Sequence, residues 1–319
     1  MLESSFWQGL LSVDPKDVSS SDVLRDCCDG KVFVSNTFFQ ENPSCFKLVL
    51  YQDAFEVVNP LGSAKKKHKV LAVYFSLLNI SPHARSNVDH MQLVLLCREK
   101  DFKDFGHDKV FSELLTDLKI LEENGIMMAD KTVVKGALYC IAGDNLGSHC
   151  IGGFTENFSS SVYLCRYCLL TRTDFQGADP AVCGPQRTPE NYRSATEHLE
   201  REDVSEVHGV KFRSVFNSLQ NFDVCTPGMP PCLGHDVFEG VLSYDLAVYL
   251  RYFINTKKWF TYTHLNRRIK QFKYKGTDAS SKPCEVSPKA LKLGGQAVQN
   301  WNLLRLLPLI IGDKVQNPQ

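Results

Sequence analysis

The sequence predicts an α/β fold, on three observations. Residues 46–53 (FKLVLYQD), 69–80 (KVLAVYFSLLNI) and 91–99 (MQLVLLCRE) are short runs rich in β-branched and aromatic residues. Turn signals separate them, Asn59-Pro60-Leu61-Gly62 and Ser81-Pro82, so they read as three successive strands. A helix follows in residues 109–125, where Val110, Leu114, Leu118 and Leu121 recur at helical spacing and Gly125 stands where a C-cap belongs. The next run, residues 132–145 (TVVKGALYCIAGDN), reads as a buried strand ending at Asp144.

The remaining chain divides by composition. Residues 1–45 are poorly periodic, Ser/Asp-rich at 19–22, with a short helix expected near 23–27; they read as a lead-in segment. Residues 46–170 form the α/β core. Residues 171–319 are expected to be a mainly helical insertion region, opening with a polar, irregular connection over 170–210 that holds Gly177, Pro180, Gly184, Pro185 and Pro189. Apolar and aromatic helix follows Asp236, then a basic helix (HLNRRIKQFKYKG), a Gly/Pro/Lys loop over 275–295 and a last helix from Ala297. Nothing completes that element before Gln319, and the expectation is a chain truncated at its C-terminal side.

Composition is that of a globular protein: 43% hydrophobic and 23% charged, with Lys+Arg and Asp+Glu both 36. No global positive field announces nucleic acid, although a local basic stripe works at zero net charge. The start lacks the basic and apolar regions of a signal peptide, and no run approaches the roughly 18 apolar residues of a membrane span. The twelve cysteines are therefore expected to be reduced thiols of an intracellular protein, with no membrane contact.

Four constellations could carry chemistry. Asp53 and Asp144 stand at the ends of apolar strands, where neighbouring carboxylates can hold Mg²⁺ or Mn²⁺ for phosphodiester cleavage. The plainer reading is two solvated strand-end acids or helix caps. Cys165-Arg166-Tyr167-Cys168 is half of a Zn²⁺ site, since zinc takes four ligands; Cys183, Cys225, Cys232, His208 and His235 are unpatterned candidates for the rest. Asp236 and Glu239, after His235, share a helix face and could supply a further ligand, though capping of the helix start is the simpler role. Finally, Lys65, Lys66 and Lys67, and Arg267, Arg268, Lys270, Lys273 and Lys275 with Phe272 and Tyr274 interleaved, suit phosphate contact or are solvated faces.

The strings YQDAFEVVNPLG, AKKKHKVLAVYFSL, IAGDNLGSHCIGGF, CRYC, PPCLGHDVFEG and LGGQAVQNWNLLRLLPLIIGDK, in this order, resemble a family of animal proteins derived from transposons. That family is distantly similar to the CACTA-type DDE transposases and the V(D)J recombinase core. The resemblance runs from about Tyr51 onward and implies an RNase H-like mixed sheet with flanking helices. It implies Asp53 and Asp144 as the first two catalytic acids, Cys165 and Cys168 as zinc ligands, and His235 as a histidine preceding an insertion helix. The family's third acid, a glutamate in a motif like RFExKHxYFK, and the histidine pair completing its zinc site follow the segment resembling residues 303–314; this chain contains neither.

The function expected is that of a transposase-derived DNA-processing protein, catalytically incomplete and retaining DNA contact. The alternatives are an active Mg²⁺-dependent nuclease using Asp53, Asp144 and Glu239, and a non-enzymatic protein-interaction scaffold. DNA and a homo-oligomer are the expected partners, and the nucleus, otherwise the cytoplasm, the expected compartment.

Overall fold

Alternation in the first run builds the central strand. In the computed structural model, which describes residues 24–56, 69–177 and 184–315, strand β1 (Phe46–Glu56) buries Leu48, Leu50 and Gln52 and exposes Tyr51, Asp53 and Phe55. Side chains two apart share a face, so one pattern separates core from surface. Strand β2 (Lys69–Leu77) pairs antiparallel to β1 from Leu48↔Leu77 to Glu56↔Lys69. Strand β3 (Gln92–Arg98) pairs antiparallel to β2.

Residues 24–45 are more than a lead-in. Helices α1 (Lys31–Val34) and α2 (Thr37–Glu41) precede β1, and α3 (Pro82–Arg85) lies between β2 and β3. Phe33, Phe38 and Phe39 form a small core with Cys45 and Ala137. Arg85 donates to both carboxylate oxygens of Asp26, at 2.9 and 2.7 Å.

Helix α4 (Glu99–Glu123) carries the chain across the sheet, interrupted at Gly106 (φ 78°, ψ 167°). Its Phe111, Leu115, Leu118 and Leu121 pack with Leu48, Leu50, Leu71 and Val73. The helix stops where the sequence predicts: Gly125 takes φ 73°, and the N–H groups of Asn124 and Gly125 donate to Ile120 O at 2.8 and 3.0 Å. A two-stranded ladder, β4 (Ile126–Met127) with β5 (Val133–Val134), leads to β6 (Gly136–Gly143).

Strand β6 pairs parallel to β1, from Phe46↔Gly136 to Gln52↔Gly143, with a register shift between Leu48 and Val49. The order of the mixed four-stranded sheet is β3-β2-β1-β6. A parallel neighbour needs a crossover, which α4 supplies.

Helix α5 (Asn145–Gly152) leaves β6 directly, and α6 (Arg172–Gly177) and α7 (Pro189–Glu202) follow. The irregular connection expected over 170–210 thus contains a 14-residue helix. Thr188 and Asn191 cap it reciprocally, and Pro189 sits in its first turn, where a missing N–H costs nothing. Its polar sequence hides it, because it buries only Tyr192, Ala195 and Thr196.

The chain clusters into two compact units, Met1–Pro230 and Pro231–Gln319, so the described residues 184–230 belong with the sheet, beyond the core boundary expected at 170. Phe154, Tyr192, Val210, Phe216 and Phe222 join the same core as β1 and α4. The second unit contains a wide-turn helical segment (Leu233–Val241), α8 (Leu242–Arg251), α9 (Tyr262–Gln271) and α10 (Ala297–Ile311) around Leu250, Leu265, Ile269, Leu303 and Ile310. Among the described residues, no helix is long and apolar enough to cross a membrane.

Candidate functional site

Neighbouring strands carry Asp53 and Asp144: Asp53 lies within β1, and Asp144 directly follows β6. The last recorded pair of the parallel ladder is Gln52↔Gly143. Asp53 follows Gln52 within β1, which runs on to Glu56, and Asp144 leaves β6 still extended (φ −68°, ψ 173°). Each acid thus follows a residue of the last recorded pair of the parallel ladder. Asp53 is exposed and Asp144 half-buried.

Asp144 has a second task. It is the N-cap of α5, and its Oδ1 accepts the Gly147 N–H at 2.6 Å. The cap orients the carboxylate, and a carboxylate has lone pairs to spare for a cation. Beneath this turn lies Gln52, 4% exposed, with no hydrogen-bond partner for Nε2. A Cβ on Gly147 would overlap Gln52 Nε2 and come within 3.0 Å of Asp144 Oδ1. A side chain at position 147 would have to displace the Gln52 amide, a contact no spacing rule exposes.

The Cys165–Cys168 loop is tied to the acid turn. Arg166, 5% exposed, bonds Asn145 Oδ1 through Nη1, and Tyr167 OH donates to Met229 O at 2.9 Å. Tyr167 N–H donates to Cys165 Sγ at 3.3 Å, which folds the loop around its first sulfur. Burial pushes the Cys168 thiol above its usual range, and the hydrogen bond with Cys165 adds to it. Within the first unit, no third Cys, His or carboxylate among the described residues joins these two thiols within 4.8 Å. Cys183, another candidate zinc ligand, lies outside the described residues.

Arg187 is a residue the sequence did not single out. Only 2% exposed, it donates through Nη2 to Cys165 O at 3.1 Å and His208 O at 2.8 Å, while Nε and Nη1 have no partner. Burial lowers its pKa, since a cation there loses its hydration. It ties the CxxC loop, through Cys165 O, to the segment of His208.

In the second unit, His235 and Glu239 have local partners. Cys232 Sγ lies 3.2 Å from His235 Nδ1, and Asp236 Oδ2 accepts the Cys232 N–H at 2.9 Å. Glu239 Oε1 accepts the Ala297 N–H at 2.9 Å, so this carboxylate caps α10.

The basic clusters fare unevenly. Lys65, Lys66 and Lys67 lie outside the described residues. Arg267, Lys270, Lys273 and Lys275 are exposed, but Arg268 is ion-paired with Asp313. Helix α9 ends at Gln271, and Phe272 and Tyr274 pack against the second core instead of alternating with the cations on an open face.

Asp26, Cys27 and Cys28 are the one group of three or more potential ligands brought together among the described residues. Arg85 already engages both oxygens of Asp26; burial opposes ionisation there, yet this pair and the Cys27 bonds hold the carboxyl below its usual range. No protein-family model matches the chain, and no curated protein matches it.

Proposed function

We propose that the first unit is an RNase H-like nucleic-acid-processing core in which Asp53 and Asp144 bind a divalent cation, Mg²⁺ or Mn²⁺, for contact with a DNA phosphodiester. The observation that carries this reading is the register: Asp53 and Asp144 each follow the last recorded pair, Gln52↔Gly143, of the parallel β1–β6 ladder at one side of the β3-β2-β1-β6 sheet. Hard oxygen donors suit such ions, which retain water and take substrate phosphate as further ligands.

Two acids hold a cation without fixing a metal pair, so the chain on its own binds DNA and metal and does not support strand transfer. The exposed cations of the second unit, Arg267, Lys270, Lys273 and Lys275, serve as phosphate contacts in this reading, and Cys165 and Cys168 as a zinc half-site.

Isothermal titration with Mn²⁺ tests the centre. Wild type is expected to bind, and Asp53→Asn and Asp144→Asn to lose binding. Equal binding by all three proteins would remove the proposal, and Asp144-dependent DNA cleavage would restore the nuclease alternative.

A further inference from the structure

A short turn ahead of the sheet brings two sulfurs together. Asp26 caps the turn Cys27–Asp29, and the Asp29 carboxylate accepts the Asp26 N–H in return. The turn sets Cys27 Sγ, Cys28 Sγ and an Asp26 carboxylate oxygen within 4.8 Å of one another. Both thiols are half-buried, and neither is in a disulfide. Cys28 packs against the small core of Phe33, Phe38, Phe39, Cys45 and Ala137, while the Cys27 thiol donates to Asp26 Oδ1 at 3.1 Å.

Two common fates of a thiol pair fit poorly here. Consecutive residues hold their Cα atoms about 3.8 Å apart, short of the roughly 4.4–6.8 Å of a relaxed disulfide, so the two thiols are badly placed to oxidise onto each other. Zinc takes four ligands, and Asp26 is already engaged. Its Oδ1 accepts the Cys27 N–H at 2.7 Å and Arg85 Nη1 at 2.9 Å, and its Oδ2 accepts Arg85 Nη2 at 2.7 Å. No fourth His, Cys or carboxylate among the described residues joins the group within the same distance.

A soft monovalent ion asks for less. Thiolate sulfur selects Cu(I), which two such ligands satisfy in a near-linear arrangement. Binding releases both thiol protons and leaves a copper(I) dithiolate with a single negative charge, without any change of oxidation state. The surroundings suit that charge. Arg85 Nη1 lies 4.0 Å from Cys27 Sγ, although Asp26 offsets its charge. Lys47, 5% exposed, holds its ammonium over the Phe33 ring and has no carboxylate partner among the described residues. A cation beside a half-buried thiolate pair favours the charged form.

We propose that Cys27 and Cys28 form a two-sulfur site for a soft monovalent metal ion of the Cu(I) type. It goes beyond the nucleic-acid reading above and does not depend on it.

The test uses the full chain, reduced and kept under nitrogen, with equimolar Cu(I) supplied as its acetonitrile complex. Bicinchoninate, a chromogenic Cu(I) chelator, is then titrated in. Wild type is expected to hold the ion at chelator concentrations that strip the double variant Cys27→Ser with Cys28→Ser, whereas Cys165→Ser with Cys168→Ser should hold it as wild type does. X-ray absorption at the copper edge should find sulfur neighbours alone, in a two-coordinate centre. A further readout needs no substitution, and so stands even where a variant fails to fold. Alkylation with iodoacetamide and peptide mass mapping should show Cys27 and Cys28 shielded by Cu(I) and not by equimolar Zn²⁺. Serine variants at 27 and 28 that hold the ion as tightly as wild type overturn the site, as do oxygen or nitrogen neighbours at copper. Shielding centred on Cys165 and Cys168 overturns it too, and equal shielding of Cys27 and Cys28 by Zn²⁺ would make the pair part of a zinc centre instead.

Discussion

Asp144 is assigned two roles that one pair of substitutions separates. As N-cap of α5 its Oδ1 holds the Gly147 N–H at 2.6 Å, and as the neighbour of Asp53 it offers charge to a cation. Asn caps about as well as Asp, whereas Ala in place of an N-cap acid costs about 1 kcal/mol. In EDTA, Asp144→Ala should therefore melt lower by about 2–4 °C, the shift expected per kcal/mol for a unit of this size. Asp144→Asn should melt at about the wild-type temperature, because it keeps the cap. Mn²⁺ at about 100 times its dissociation constant stabilises a binding-competent fold by about 2.7 kcal/mol. Wild type should then gain roughly 5–10 °C. Both variants should gain nothing. Scanning fluorimetry with and without Mn²⁺ reads all of this in one experiment. A wild type indifferent to Mn²⁺, or an Asp144→Asn that gains as much, would refute the ligand role; an Asp144→Ala as stable as Asp144→Asn would refute the cap.

Three further outcomes follow from buried groups. Gly147→Ala should destabilise by about 1–3 kcal/mol in urea unfolding, since its Cβ meets Gln52 and Asp144, whereas Gly177→Ala, with open space around it, should be neutral or slightly stabilising. Tyr192 OH donates to Gly152 O at 2.8 Å and accepts the Ser214 N–H at 2.8 Å, so Tyr192→Phe should cost about 1–3 kcal/mol by leaving buried backbone groups unpaired. Glu122 is 4% exposed, and burial raises its pKa above the ordinary carboxylate value despite the bond its Oε2 accepts from Gln220 N–H. A raised folded-state value means the native protein binds more protons, so its stability falls as pH rises from the unfolded-state value through the folded one. Glu122→Gln should remove that slope, and urea midpoints across this window that fall in parallel for both proteins would refute the assignment.

The strands and the main helix were legible because their signals are local. The β-branched and aromatic runs, the turn residues between them, and Gly125 at φ 73° are properties of a few successive residues. The two candidate acids were legible for the same reason, as polar residues ending apolar runs. Helix α7 was not, because its stabilisation comes from capping and from Tyr192 entering a core built by distant residues. The role of Glu239 was half legible: the residue is a capping acid, but the helix it caps is α10 and not its own.

The sequence by itself determined an α/β chain with acids at strand ends, a CxxC pair and two basic runs. Only the tertiary structure decided that β6 lies parallel to β1 with Gln52 opposite Gly143, the residues that precede Asp53 and Asp144. It alone showed that Gln52 lies under the acid turn, that Arg187 grips the CxxC loop, and that Arg268 is spent on Asp313. The physical reason is common to all of these. Backbone propensity acts over a few residues, while register between distant strands and the pairing of buried polar groups are fixed by packing of the whole unit.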